Sequence, residues 1–260
     1  MYHGFDMSFY QSDEQYFRYA NVADFIIHRS SEGVTGGDSK LMARLKASPK
    51  SLPFGIYHVI RPQSNRWEDE FEAFCKRIDE CRAVREVGIA LDLECSANYV
   101  PYNAGENVKI WIANMISALH QRYERPVIVY MGDLYPDGWY EAFRQAGAVF
   151  WIARWECSQS FIKHDATIWQ YTSKYEGGSQ DADKFLKDEA TFRDIFCMDG
   201  SDIPVNPYDK DRVTDEELDH AIEVMALATL DGLFSSGAAR KEAYYAAIQG
   251  RVNELVKEGR

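Results

Sequence analysis

The strongest chemical signal in this chain is a pair of carboxylates two residues apart, Asp92 and Glu94 in Ile89-Ala90-Leu91-Asp92-Leu93-Glu94. Along an extended strand alternate side chains share a face, so the two acids point one way while Leu91 and Leu93 point the other. Held close together, two carboxyl groups have their proton affinities pushed apart, which suits one acid and one ionised partner. The same spacing also fits a solvated strand edge or a divalent-cation site. Asp6, in Gly4-Phe5-Asp6-Met7-Ser8, and Glu32, in Arg29-Ser30-Ser31-Glu32-Gly33, end two further strand-like runs. Singly, each reads as a cap or turn residue. Three strand ends carrying acids would make an acidic pocket, and hydrolysis of a glycosidic bond needs such paired carboxylates.

The aromatic residues add direction. They make up 14% of the chain, with 16 Tyr, 14 Phe and 6 Trp. Tyr57-His58, Tyr130, Trp151, Trp155 and Trp169-Gln170-Tyr171 fall at the ends of strand-like runs, where flat rings suit the apolar faces of sugars, although at least half should simply be core. Arg154, in Trp151-Ile152-Ala153-Arg154, could hold a substrate oxygen, orient a carboxylate or make a surface ion pair. His58 reads as a structural hydrogen-bonding residue. No His-Glu-x-x-His, Cys-x-x-Cys, Gly-x-Ser-x-Gly or Walker loop occurs, so neither a metal nor an organic cofactor is expected.

These residues need elements to hold them. Apolar, β-rich runs lie at 4–8, 25–29, 54–60, 87–93, 127–131, 149–153 and 167–171, with a weaker one at 195–203. Amphipathic stretches at 68–81 and 107–123 separate some of them. Strands alternating with helices predict βα units and a largely parallel sheet. Eight strands in about 200 residues suit an irregular (β/α) barrel with some helices missing, in the α/β class. A doubly wound open sheet competes, but no Gly-x-Gly-x-x-Gly follows the first strand. The polar run Asn206-Pro207-Tyr208-Asp209-Lys210-Asp211-Arg212 reads as a linker. Beyond it Thr214-Asp215-Glu216-Glu217 has the form of a capping box, and helical spacing continues through Leu255. The predicted organisation is a barrel over 1–206, a linker over 207–213 and a small three-helix bundle over 214–260.

The 260 residues carry 29 Lys+Arg against 41 Asp+Glu, a formal charge of −12, which argues against nucleic acid and anionic lipid as partners. No apolar run approaches the ~18 residues of a membrane span, so no membrane insertion is expected. The first residues lack the basic start and apolar run of a signal peptide. Five Cys with no paired spacing read as reduced thiols.

Taken in order, these motifs resemble the family 25 glycoside hydrolases, the lysozymes (N-acetylmuramidases) of bacteria and phages. The resemblance rests on Gly4-Phe5-Asp6-Met7-Ser8-x-x-Gln11, Ser31-Glu32-Gly33, Gly55-Ile56-Tyr57-His58, Leu91-Asp92-Leu93-Glu94, Trp151-Ile152-Ala153-Arg154 and Trp169-Gln170-Tyr171. It implies cleavage of the β-1,4 bond between N-acetylmuramic acid and N-acetylglucosamine in peptidoglycan. It further implies Glu94 as general acid, with Asp92 and Asp6 stabilising charge or orienting an N-acetyl group. Glu32, Tyr57, Tyr130, Trp151, Arg154, Trp169 and Gln170 would contact substrate. A last acid in an Asp-hydrophobic-Asn context is assigned to Asp202, with Asp199 as its rival. Tyr10 stands where the family often has Trp. The tail resembles the cell-wall-binding repeat of phage lysins, through Leu230-Asp231-Gly232, Gly237-x-x-Arg240-Lys241 and Arg251-Val252-Asn253-Glu254-Leu255, with Arg240 implied as a wall contact. A helical dimerisation or stabilising tail is the alternative. Together the resemblances imply a phage or prophage endolysin, made in the host cytoplasm and reaching the wall through a holin or on lysis. The competing readings are a non-catalytic glycan-binding barrel and a metal-dependent phosphodiesterase barrel using the same acids.

Overall fold

The computed structural model of the protein describes residues 2–197. The elements run β1 (Tyr2–Met7), α1 (Asp13–Ala20), β2 (Phe25–Glu32), β3 (Gly36–Gly37), α2 (Leu41–Ala47), β4 (Phe54–Val59), α3 (Trp67–Arg82) and β5 (Gly88–Asp92). They continue through α4 (Glu106–Tyr123), β6 (Val127–Gly132), α5 (Asp137–Gln145), β7 (Ala148–Ala153), β8 (Ile168–Thr172), β9 (Ala182–Phe185) and α6 (Glu189–Phe196). The strands pair in the order β1-β9-β8-β7-β6-β5-β4-β2, and a further β1–β2 pairing closes them into an eight-stranded barrel. The two-residue β3 is a flap on the edge of β2. All barrel pairings are parallel except those of β9, which runs antiparallel to both β1 and β8.

The irregular (β/α) barrel is therefore present, with a helix after β6 but only single 3₁₀ turns, Gln159–Phe161 and Tyr175–Gly177, in the β7–β8 and β8–β9 connections. The linker 207–213, the helical module 214–260, and with them Asp199, Asp202 and Arg240, lie outside the described residues.

Period-2 alternation sorts each strand into two faces. Ile56, Ile89, Leu91, Val129, Phe150 and Ile152 face outward and pack with Phe74, Ile78, Ile112, Met115 and Phe143 of the surrounding helices. Phe25, Ile27, Ala90, Ile128, Trp151, Ile168 and Phe185 face inward and fill the barrel, joined by Phe192, Ile195 and Phe196 of α6. The start of α1 is a capping box: Ser12 accepts from Gln15 N at 3.1 Å while Gln15 Oε1 accepts from Ser12 N at 2.9 Å.

The strand expected at 195–203 is not formed by its first two residues, which end α6 instead. Asp188 caps that helix, accepting from Thr191 N at 2.8 Å, and Phe192, Ile195 and Phe196 follow at helical spacing on its buried side. The eighth barrel strand comes earlier, as β9, and α6 follows it from Glu189. The lower end of the barrel is closed by α6. There a Cβ on Gly88 would stand 2.9 Å from the Ile195 carbonyl oxygen, so only glycine allows this approach. Phe196 packs on Phe25 (ring centroids 5.1 Å) and Phe192 (4.9 Å). Phe196→Ala is expected to destabilise the barrel by about 3–5 kcal/mol, read as a lowered denaturant midpoint with an unchanged slope.

Candidate active site at the barrel mouth

One step above this apolar filling, the inward positions turn polar. Asp6, Asp92, Tyr57 and Tyr130 stand near the carboxyl ends of parallel strands, Asp92 beside Tyr130 in the β5–β6 register. This is the end of a barrel at which enzymes assemble their sites. Glu94 follows Asp92 on the same face, just past the strand, its backbone held by Val100 N donating to Glu94 O at 3.0 Å. The result is a cavity of about 290 Å³ lined by Asp6, Glu32, Tyr57, Asp92, Glu94, Tyr130, Trp151 and Gln170. Eight of the residues singled out in the sequence thus meet in one place.

The same cavity holds residues the sequence reading passed over. Asp181 precedes β9 and reaches the mouth, and Arg29 and Tyr99 form part of the rim, beside the Tyr10 already singled out in the sequence. The signal for Asp181 was available: Asp181-Ala182-Asp183 repeats the alternation of Asp92-Leu93-Glu94 and sits at the eighth strand.

Two expected contacts are not brought in. Trp169 lies between the inward Ile168 and Gln170 and so points to the other face; it is buried, with Nε1 donating to the Arg154 carbonyl at 2.7 Å. Arg154 Nη1 pairs with Asp133 at 2.6 Å and donates to the Phe161 carbonyl at 3.0 Å, bridging two loops beside the mouth. His58 makes the structural bonds expected of it, to Ser31 Oγ (2.8 Å) and Glu70 Oε2 (3.1 Å) on the outer side of β4.

Gln170 organises the floor. Its Oε1 accepts from Tyr130 Oη and Trp155 Nε1, each at 3.0 Å, which leaves its amide nitrogen to donate to Asp6 Oδ2 at 2.8 Å. Two donors on the oxygen fix which way the amide faces. Trp151 closes the cavity from below, edge-on to Tyr130 at 4.8 Å, with Nε1 donating to Asp183 Oδ1 at 2.7 Å. On the rim Glu32 is clamped between Arg29 and Arg61, and Arg61 lies 3.7 Å above the Tyr99 ring.

Electrostatics set the cluster apart from ordinary surface acids. Burial, reinforced by Asp181, lifts Asp6 well above the usual carboxylate range, against the opposing hydrogen bond from Gln170. Burial and the charges of Glu94 and Asp6 do the same for Asp92, whose Oδ1 meets no hydrogen-bond donor among the described residues. Glu94, at the solvent-open mouth, is raised by partial desolvation and opposed by Arg29. Asp181 is pushed up to about 6 by burial and by Glu94. Such a set titrates as a unit and keeps protons on some members while others ionise. Arg29 is the cation that offsets it. Among the described residues no group of three or more His, Cys, Asp or Glu is arranged to hold a metal ion, and no helix is long and apolar enough to cross a membrane.

Comparison with known proteins bears on this geometry. The sequence profile of glycosyl hydrolases family 25 matches residues 5–179. Among solved structures, a muramidase from Trichobolus zukalii is similar at 23% identity and TM-score 0.58, over 76% of this chain and all of that one. A family GH25 lysozyme from Aspergillus fumigatus is similar at 24% identity and TM-score 0.53, over 75% of this chain and 98% of that one. The catalytic domain of an endolysin from a bacteriophage of Listeria monocytogenes matches at 20% identity and TM-score 0.55, over 76% and 98%. Likeness at these identities establishes a shared fold. No curated protein matches the sequence.

Proposed function

Because the chain belongs to glycosyl hydrolases family 25 and is a glycoside hydrolase, we propose that it hydrolyses peptidoglycan at the β-1,4 bond between N-acetylmuramic acid and N-acetylglucosamine. The observation that carries this reading is the convergence of Asp6, Asp92, Glu94 and Asp181 in one cavity with their proton affinities raised.

In the proposed reaction Glu94 donates its proton to the glycosidic oxygen. Its place at the open mouth lets it reach a bond in an extended polymer, and partial desolvation raises its proton affinity above that of an ordinary surface carboxylate. Asp6, Asp92 and Asp181 line the site beneath the sugar, where the ionised members of the set face the positive character that develops at its anomeric carbon. Tyr57, Tyr130 and Trp151 shape the apolar floor, while Glu32 and Tyr99 meet the sugar or its peptide at the rim. Trp169 and Arg154 act from behind, as supports of the β7–β8 side.

An endolysin role in a phage or prophage, with release to the wall at lysis, is part of the same reading. Attachment of residues 214–260 to the wall would raise local substrate concentration without new catalytic contacts. To test the bond assignment, purified peptidoglycan is digested, reduced with borohydride and analysed by mass spectrometry. New ends should be muramitol; glucosaminitol, or new amino termini without new reducing sugars, would refute the assignment.

A further inference from the structure

The mechanism above leaves unused a buried acid that lies directly beneath the pocket. Asp183 is wholly buried beneath the pocket, opposite Gly4 of β1 and Gln170 of β8 in the strand registers. Its Oδ1 accepts from Trp151 Nε1 at 2.7 Å, and its Oδ2 receives no hydrogen bond from any described residue. We propose that Asp183 stays protonated on Oδ2 and serves as a hydrogen-bond donor that holds Asp6 in its ionised form, making it a positioning residue for the acid cluster.

Polar groups of four strands surround Asp183. From β1 it faces Asp6, from β8 the Gln170 amide, from β7 the Trp151 indole and on its own strand Asp181. Asp92 and Glu94 of β5 bear on Asp6 from across the mouth. None of these is a cation, and Arg29 acts on Asp92 and Glu94 instead. The Gln170 amide nitrogen donates to Asp6 Oδ2, and Asp183 Oδ2 receives no hydrogen bond from it. An ionised Asp183 would therefore be a buried charge with one hydrogen bond and a carboxylate for a neighbour, an arrangement that proteins avoid by retaining the proton. With the proton in place, the one unsatisfied oxygen becomes a donor, and the acceptor beside it is Asp6. Two adjacent carboxyl groups then share one proton. Burial and the Asp6 charge raise Asp183 well above the carboxylate range, and Asp183 joins Gln170 as a hydrogen bond favouring ionised Asp6.

An asparagine would do the same work, with Oδ1 accepting from Trp151 and the amide donating to Asp6; a leucine would do neither. The activity arm of the test rests on the proposed muramidase function, whereas the stability arm uses free protein and stands without it. Wild type, Asp183→Asn and Asp183→Leu are compared by peptidoglycan cleavage against pH and by thermal melting between about pH 4 and 8. Asp183→Asn is expected to keep kcat/KM within about threefold of wild type, and Asp183→Leu to lose about 100-fold. A folded-state pKa above the unfolded value means that wild type loses stability as pH rises through the folded value. The amide does not titrate, so the melting temperature of Asp183→Asn should exceed that of wild type by a margin that widens with pH. A margin independent of pH, or an Asp183→Asn variant as inactive as Asp183→Leu, would overturn the proposal. If Asp183→Leu does not fold, the asparagine variant alone decides both arms.

Discussion

Glu94→Gln is expected to lower kcat for peptidoglycan cleavage by about 10²–10⁴-fold while KM stays near the wild-type value. The amide has the shape of the acid and none of its proton-donating power. Substrate is held by the rim and floor, so binding should survive; the missing proton at the glycosidic oxygen is felt only in the transition state. Glu94 also stands at the open mouth, without a buried partner, so the melting temperature should move little. A steady-state titration with soluble glycan fragments checks this, and a variant within a few-fold of wild type would remove Glu94 from the proposed role.

Asp92→Asn should move two observables in opposite directions. Activity is expected to fall about 100-fold, because an ionisable group beneath the developing positive charge is gone. Stability is expected to rise by about 1–3 kcal/mol, because a buried acid with an unsatisfied oxygen, crowded by Glu94 and Asp6, is replaced by a neutral amide. The sign of the pH dependence follows from the raised pKa. Folded Asp92 takes up protons more readily than the unfolded chain, so its cost to stability grows as pH rises above the ordinary carboxylate range. The gain from Asp92→Asn should therefore be larger at neutral than at acid pH, as measured by denaturant unfolding at both. Loss of activity together with loss of stability would show instead that Asp92 holds the barrel mouth together.

Much of this arrangement was legible in the residues because strand alternation and acid placement agree. Asp6 and Asp92 end apolar runs on the inward parity, and Glu94 continues it, so a barrel once assumed puts all three at one mouth. The failures have physical reasons. Trp169-Gln170-Tyr171 reads as one motif, yet neighbours on a strand point to opposite faces; only the pairing of Trp151 with Ile168 decides that Gln170 faces inward and Trp169 does not. Asp181 escaped because β9 has only four residues, Ala-Asp-Lys-Phe, too short and polar to stand out against longer apolar runs. The run beginning at Ile195 looked more like a strand, but spacing of three and four between Phe192, Ile195 and Phe196 with an Asp cap four residues before Phe192 makes a helix. Arg29 was passed over because its value lies in its surroundings. A single arginine in Arg-Ser-Ser-Glu says nothing until Asp92, Glu94 and Glu32 are found around it.

The proposed function requires that the acid cluster address the bond between N-acetylmuramic acid and N-acetylglucosamine. Its most direct test is a crystal structure of Glu94→Gln with a bound peptidoglycan tetrasaccharide. The amide of residue 94 should lie within about 3.2 Å of the glycosidic oxygen on the N-acetylglucosamine side of that bond, with Asp6, Asp92 and Asp181 beneath the muramic acid ring. A glycan seated away from the barrel mouth, or residue 94 out of hydrogen-bonding reach of that oxygen, would contradict it.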